Sequence, residues 1–277
     1  MSYQRILTIQ DISCVGQCSL TVALPILSAC GLETAILPSA VLSTHTAGFT
    51  GFTVRDLTDD LPAISNHWQK EGLTFAGIYT GYLGSTQQID YVKAIFEANG
   101  AEGCQYIVDP AMADNGKLYP AFDMAYVEAM KTLCAKANIL LPNITEACML
   151  TGMPYQETYD HAYIQALLEK LSALMQDGIV VLTGVGYEPD MTGVVVYQNG
   201  VEQYYPHEKI SPSCHGTGDV YASAFVGAYM QGKTPFEAAV IAADYTLACI
   251  KYTHTDKSHW YGVKFEAVLG ELMEKLK

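Results

Sequence analysis

One feature constrains the fold of this chain more than any other. A short apolar run, a polar turn carrying glycine or an acid, and a helical pattern follow one another again and again along its length. Residues 5–10 (Arg-Ile-Leu-Thr-Ile-Gln) read as a buried strand, 11–19 as a polar turn, and 20–29 as an apolar helix closed by Gly31. Further strands are expected at 34–38, 75–82, 105–110, 137–143 and 179–183. Helices are expected at 57–71, 86–98, 124–136, 161–175, 217–229, 235–252 and 265–276, with Ser85, Thr145 and Ser19 as candidate caps. Such alternation buries its apolar faces as a mostly parallel sheet with helices on both sides, the doubly wound α/β class. Two segments break the pattern. Residues 192–197 and 201–205 flank Asn199-Gly200, a strong turn signal, and read as an antiparallel hairpin at one sheet edge. Residues 43–53, rich in Thr, Gly and Phe, read as a short strand pair or flap. No linker, repeat or charge run divides the chain, so residues 1–277 are read as one domain.

Composition narrows the partners. The chain has 277 residues, 50% of them hydrophobic, enough for one large core. Its net charge of -14 argues against nucleic acid or an anionic membrane surface as partner. No apolar run approaches the roughly 20 residues of a membrane span. The N-terminal Met-Ser-Tyr-Gln-Arg runs directly into a strand pattern without a leader signature. Eight cysteines are scattered mostly through apolar elements, the usage of a reducing, cytoplasmic compartment. Cys14 and Cys18 have no second pair at zinc spacing. Cys214 is the one cysteine beside a helix start, where a dipole lowers a thiol pKa; the alternative is a small turn residue.

The densest chemistry lies in Cys214-His215-Gly216-Thr217-Gly218-Asp219, ahead of a helix of small residues. Glycines at a helix start expose backbone N–H groups to one spot at the positive end of the dipole, a place for an anion such as phosphate. Asp219 is misplaced for holding that anion, since like charges repel, but well placed to take a proton from a hydroxyl attacking it. A favourable first-turn acid is the plain alternative. A dinucleotide fingerprint would need a third glycine three residues after Gly218, and none stands there or at Ala222 beyond it.

Other candidates fall at the same kind of position, the carboxyl end of a strand or the start of the next helix, where ligands of such sheets bind. Asp11, Ser13 and Gln17 follow the first strand as candidate substrate contacts. His45 and Thr46 on the flap offer polar side chains, and Tyr82 offers an aromatic face. Asp109 and Asp114 suit Mg²⁺, which takes one or two carboxylates with phosphate oxygens and water. Asp-Asn-Gly at 114–116 is also a strong turn signal. Glu146 is either the holder of a metal-bound water or a first-turn acid; Asn143 and Thr183 share its end of the sheet.

These residues carry a resemblance over essentially the whole chain. Thr80-Gly81-Tyr82-Leu83-Gly84-Ser85, Val108-Asp109-Pro110, Leu141-Pro142-Asn143 with Glu146, and Gly216-Thr217-Gly218-Asp219 resemble, in order and spacing, the ribokinase-like superfamily and its vitamin B6 kinases. The resemblance implies ATP-dependent phosphorylation of the hydroxymethyl group of pyridoxal, pyridoxine or pyridoxamine, in salvage toward pyridoxal phosphate. It implies Asp219 as base, with Gly216, Thr217 and Gly218 binding the charge on the transferred phosphoryl group. Asp109, Asp114 and Glu146 would arrange Mg²⁺, with K⁺ a further candidate; Asp114, Asn143 and Thr183 would lie on the ATP side. His45, Thr46 and Tyr82 would contact the ring, Asp11 would match a ring-contacting position, Ser13 stays a candidate substrate contact, and the assembly would be a homodimer with the flap near its interface.

Two positions depart from the pattern. Asp11 stands where many B6 kinases have Ser, a carboxylate suited to a protonated ring nitrogen or substrate amine. Leu141 stands where some relatives carry Thr near the ATP phosphates. The Cys-His-Gly-Thr-Gly run is also similar to hydroxymethylpyrimidine (phosphate) kinases of thiamine synthesis, which often have Cys in place of Asp219. That activity is the second expectation; a non-catalytic vitamer or nucleotide sensor is a third, of another class.

Overall fold

The structure is a computed structural model that describes residues 4–175 and 178–277. Residues 1–3, the start of the N-terminal stretch read above, lie outside the described residues. The chain opens with β1 (Arg5–Ser13), α1 (Leu20–Ala29), β2 (Glu33–Leu42), β3 (Val54–Asp56) and α2 (Asp60–Lys70). It continues through β4 (Phe75–Thr80), α3 (Thr86–Asn99), β5 (Gly100–Val108), the short β6 (Ala113–Asp114) and β7 (Lys117–Leu118), and α4 (Met124–Cys134). β8 (Ile139–Leu140), α5 (Ile144–Thr151), α6 (His161–Leu174) and β9 (Ile179–Thr183) follow. A hairpin of β10 (Met191–Gln198) and β11 (Val201–Glu208) precedes α7 (Thr217–Met230), α8 (Pro235–Thr253) and α9 (Leu269–Lys275).

Nine strands form one sheet in the order β11-β10-β9-β8-β5-β4-β1-β2-β3. Its centre, from β9 to β2, is parallel, and the hairpin and β3 add antiparallel strands at the two edges. The expected α/β class, mostly parallel sheet, edge hairpin and flanking helices are all present. Successive strand side chains alternate between two cores. Leu7, Ile78, Val180 and Leu182 pack with α3 to α6 on one face. Ile6, Tyr79 and Val181 pack with α1, α7 and α8 on the other. The near-continuous apolar runs of the central strands follow from burial on both faces.

From β1 the chain moves outward to β2 and β3, then returns to place β4 on the other side of β1. The carboxyl ends of β1 and β4 therefore flank the point where strand order reverses, the position at which sheets of this kind open a crevice. Gly81 lets them close up there, because a Cβ would stand 2.7 Å from Gln10 Oε1.

Two local expectations are corrected, and a third, the strand pair or flap at 43–53, loses its first alternative. Thr145 does not cap α5: Asn143 is the N-cap, accepting from Glu146 N, while the Glu146 side chain accepts from Asn143 N, a complete capping box. The Thr145 hydroxyl instead accepts from Gly116 N at 3.0 Å. Ser19 stands at the N-cap of α1 but makes no side-chain cap bond. Residues 43–53 hold no strand pair of their own. They form a loop on the stem of β2 and β3, with Leu42 in register with Val54 and Ser43 N bonded to Thr53 O at 3.0 Å.

Candidate active site

The site is built from the carboxyl ends of β1, β4 and β5 and the start of α7. Gly216 is the N-cap of α7, in the left-handed region at φ 80°, with no side-chain cap bond. The amides of the first turn are thus left to another acceptor. The two glycines do different work. A Cβ at Gly216 would collide with the Gln17 carbonyl oxygen, whereas a Cβ at Gly218 would meet nothing within 4 Å. Gly216 lets the turn after β1 dock on the helix start; Gly218 leaves the space over the amides open. The Thr217 hydroxyl turns back to donate to Cys214 O at 3.2 Å.

Asp219 lies half-buried in that first turn. Burial pushes its carboxyl up to about 7, with the Asp11 charge adding to the rise and the Ser19 backbone N–H opposing it. A carboxyl that exchanges its proton near neutrality is matched to general base work. Asp109, at the end of β5, is raised well above the usual carboxylate range by burial, then by Glu146 and Asp219. Glu146, 3% exposed, is pushed up to about 7 by burial although Asn143, Met112 and Ala113 amides oppose the rise. Its oxygens accept from Met112 N at 3.1 Å and Asn143 N at 2.9 Å.

The remaining candidates divide into those open to a ligand and those already engaged. Asp114 is exposed, its oxygens accepting from the backbone and side chain of Asn115 at the turn between β6 and β7. The Asn143 side-chain amide donates to Ala113 O at 2.9 Å and its oxygen accepts from Glu146 N, so its side chain is engaged in structure. Thr183 bridges to Asn143 and donates to Pro142 O at 3.3 Å. Among the described residues no three His, Cys, Asp or Glu side chains converge as a metal cluster, so Asp109, Asp114 and Glu146 do not form a ready-made cage. On the other side, Asp11 is 4% exposed and Ser13 is 2% exposed. His45 uses both ring nitrogens on the backbone, accepting from Ala47 N at 3.1 Å and meeting Tyr261 O at 2.7 Å. Thr46 is exposed and Tyr82 half-buried, its ring 5.4 Å from Phe122. Burial pushes the Cys214 thiol up, opposite to the dipole effect weighed from sequence.

Several residues near this edge carry no sequence signal. Phe49 packs 5.0 Å from His45 and 4.8 Å from Trp260, so the C-terminal segment after α8 lies over the loop between β2 and β3. Gly48 permits this, since a Cβ there would stand 2.9 Å from the Trp260 ring. His215 lies 5.6 Å from His45. The contacts of Phe49 and Gly48 with Trp260, and of His45 with His215, join residues more than 150 positions apart, and no local pattern announces them.

The fold and this edge define an α/β protein of the ribokinase-like type, with an uncapped helix start and an acid of raised pKa at the switch point of the sheet. Residues 37–263 match the family model described as phosphomethylpyrimidine kinase, and the chain belongs to that family. A Bacteroides thetaiotaomicron VPI-5482 protein assigned as a phosphomethylpyrimidine kinase, solved with pyridoxal, is 35% identical with a TM-score of 0.91, over 98% of this chain and 96% of that one. A Lactobacillus plantarum pyridoxal kinase is 32% identical with a TM-score of 0.91, over 99% and 98%. A Staphylococcus aureus (strain COL) protein assigned as a pyridoxine kinase is 26% identical over 63% of this chain, and the match spans only 62% of that protein. Solved pyridoxal kinases of the same fold, 20% and 21% identical, hold ADP.

Proposed function

We propose that the chain phosphorylates the hydroxymethyl group of a B6 vitamer with ATP as donor. The observation that carries this reading is Asp219, a carboxyl pushed up to about 7 beside the open first-turn amides of α7. An acceptor hydroxyl placed between them loses its proton to Asp219 as its oxygen attacks the terminal phosphoryl group. The amides of Thr217, Gly218 and Asp219 face the charge that gathers on that group. The protein's task is positioning and charge stabilisation rather than covalent chemistry.

The acids at the ends of β5 and α5 fit a hard cation in character. They offer carboxylate oxygens, Asp109 and Glu146 are raised by burial, and neither enters a salt bridge among the described residues. With Glu146 bonded to backbone amides, Asp109 and Asp114 are the proposed direct contacts for Mg²⁺ and Glu146 acts through water. The ion would supply neutralisation of phosphate charge. Asn143 and Thr183 hold the strand ends beneath the nucleotide side. On the acceptor side we place Tyr82 against the ring, with His45 and Thr46 on the loop above it.

Pyridoxal in the 35% identical Bacteroides protein supports the vitamer as acceptor. The family description supports a second reading, a hydroxymethylpyrimidine (phosphate) kinase on the same machinery. Product formation with Mg-ATP and a panel of pyridoxal, pyridoxine, pyridoxamine, hydroxymethylpyrimidine and ribose decides between them. Phosphorylation of a B6 vitamer in preference to the pyrimidine is expected. Preference for the pyrimidine selects the second reading, and nucleotide binding without turnover of any acceptor points to a sensor.

A further inference from the structure

Gln17, a candidate substrate contact by its place after β1, turns its side chain to the C-terminal segment instead. Its carboxamide is engaged at both ends. Gln17 Nε2 donates to Glu266 Oε1 at 2.9 Å and to Oε2 at 3.0 Å, and Gln17 Oε1 accepts from His259 Nε2 at 3.0 Å. A carboxylate only accepts, so the carboxamide fits this pair of partners one way round. The segment that supplies them is itself anchored. Val263 and Phe265 are buried in the core shared with α1, α7 and α8, and Tyr245 Oη donates to Phe265 O at 2.9 Å. Gly262 admits the close approach, since a Cβ there would stand 2.7 Å from Gln17 Oε1.

The backbone of the same residue reaches the start of α7. Gln17 has φ 55°, the left-handed region, where a non-glycine residue persists because its surroundings over-determine it. Its carbonyl oxygen lies against Gly216, so closely that a Cβ on Gly216 would collide with it. Gly216 is the N-cap of α7 and has no side-chain cap bond, so this carbonyl is the stop that sets where the helix begins. One residue thus joins the C-terminal segment, through its side chain, to the first turn of α7, through its main chain. We propose that Gln17 is a positioning residue for phosphoryl transfer: clamped by Glu266 and His259, it holds its carbonyl against Gly216 and so aims the first-turn amides of α7. This role rests on the proposed transfer at those amides. It gives Gln17 a part in the reaction without contact to the substrate.

The test uses the full chain and the acceptor that the parent protein phosphorylates. Gln17→Ala is expected to lower kcat on the order of tenfold or more, as small misplacements near reacting groups do, with acceptor KM nearly unchanged. Glu266→Ala leaves the His259 bond in place and is expected to act in the same direction, on the order of 3–10-fold in kcat. The double variant is expected to cost no more than Gln17→Ala, because both break the same clamp. Glu266→Gln keeps an oxygen for Gln17 Nε2 and is expected to recover most of kcat. A rise in acceptor KM at constant kcat in Gln17→Ala would overturn the proposal in favour of direct substrate contact. Additive losses in the double variant would overturn it too, and so would a lower unfolding temperature in Glu266→Ala with kcat unchanged. If Gln17→Ala does not fold, Glu266→Ala against Glu266→Gln carries the same comparison, since Glu266 is exposed.

Hydrogen exchange, measured without substrate, separates this proposal from the functional reading. The Val220 amide donates to Gly216 O at 3.0 Å, so its exchange reports opening of the first turn of α7. Glu266→Ala and Gln17→Ala should each speed that exchange on the order of tenfold relative to amides in the middle of α7, since a helix start without its stop opens more often. Unchanged exchange would overturn the clamp whatever the activity. Faster exchange in a protein that phosphorylates no acceptor would remove the kinase reading, and with it the catalytic consequence, while leaving the clamp on α7 standing.

Discussion

At the scale of single residues, Asp219 decides most. Its carboxyl must be ionised to accept a proton, and burial lifts its pKa to about 7. Activity should therefore climb as pH rises through about 7, measured as kcat/KM against pH. Stability should run the other way. A carboxyl whose folded pKa lies above its unfolded value holds a proton in the folded state that the unfolded chain has released, so folding loses stability as pH rises from about 4 to about 7. Asp219→Asn removes that loss. It should unfold at higher temperature than the parent at pH 8, and the gain should shrink through pH 7 and vanish below about pH 4. Glu146, also pushed up to about 7, contributes in the same direction. The residue types at these positions were readable from sequence, since an acid after a strand or in a first helical turn has few uses. Which acids are already engaged was not readable. The hydroxyls on Asp11 and the amides on Glu146 belong to backbone paths that residue spacing alone does not encode.

At the scale of elements, the alternation of strand and helix fixed where most elements lie, and α1 falls on the expected residues 20–29. The errors sit at ends. Asn143 and Thr145 are both acceptable cap types, and only the reciprocal bond with Glu146 selects Asn143. Replacing Asn143 by Ala should cost about 1–2 kcal/mol of stability through the lost cap. Thr145→Ala removes only the bond to Gly116 N and should cost less. Denaturant midpoints compare the two directly. β5 begins at Gly100, earlier than expected, because 100–104 read as polar and weakly patterned; pairing with β4 draws this stretch into the sheet. The glycines of the α7 start give a sharper test. Gly216→Ala forces a Cβ onto the Gln17 carbonyl in a left-handed position, so it should lower both stability and activity. Gly218→Ala meets no neighbour and should leave the unfolding temperature within a few degrees, yet reduce turnover by crowding the space over the amides. Parallel melting curves and initial rates separate the two effects.

At the scale of the whole molecule, strand order places the site. The reversal between β1 and β4 gathers Asp11, Tyr82, Asp109 and Asp219, spread over about 200 positions of the chain, to one edge of the sheet. Sequence alone gave that edge only by counting how many polar residues fall at strand ends; the reversal itself appears once the pairing is known. The C-terminal segment and the loop between β2 and β3 meet through Trp260 and Phe49, a closure that no motif foretold. The edge strand β3 exposes Val54, 56% accessible, beside Phe52, 37% accessible. Exposed apolar edges invite pairing, and we expect a homodimer through this region, about twice the 30.1 kDa of one chain by sedimentation. A single 30.1 kDa species at working concentration would count against it.

The central claim is that Asp219 is the base of an ATP-dependent phosphoryl transfer to a B6 vitamer. Its most direct test is the rate of phosphorylated vitamer formation from Mg-ATP by the parent protein and by Asp219→Asn, with binding of both substrates measured alongside. The account predicts turnover by the parent and a loss on the order of 10²–10⁴ in the variant, with both substrates still bound nearly normally. Turnover by Asp219→Asn close to that of the parent would contradict it.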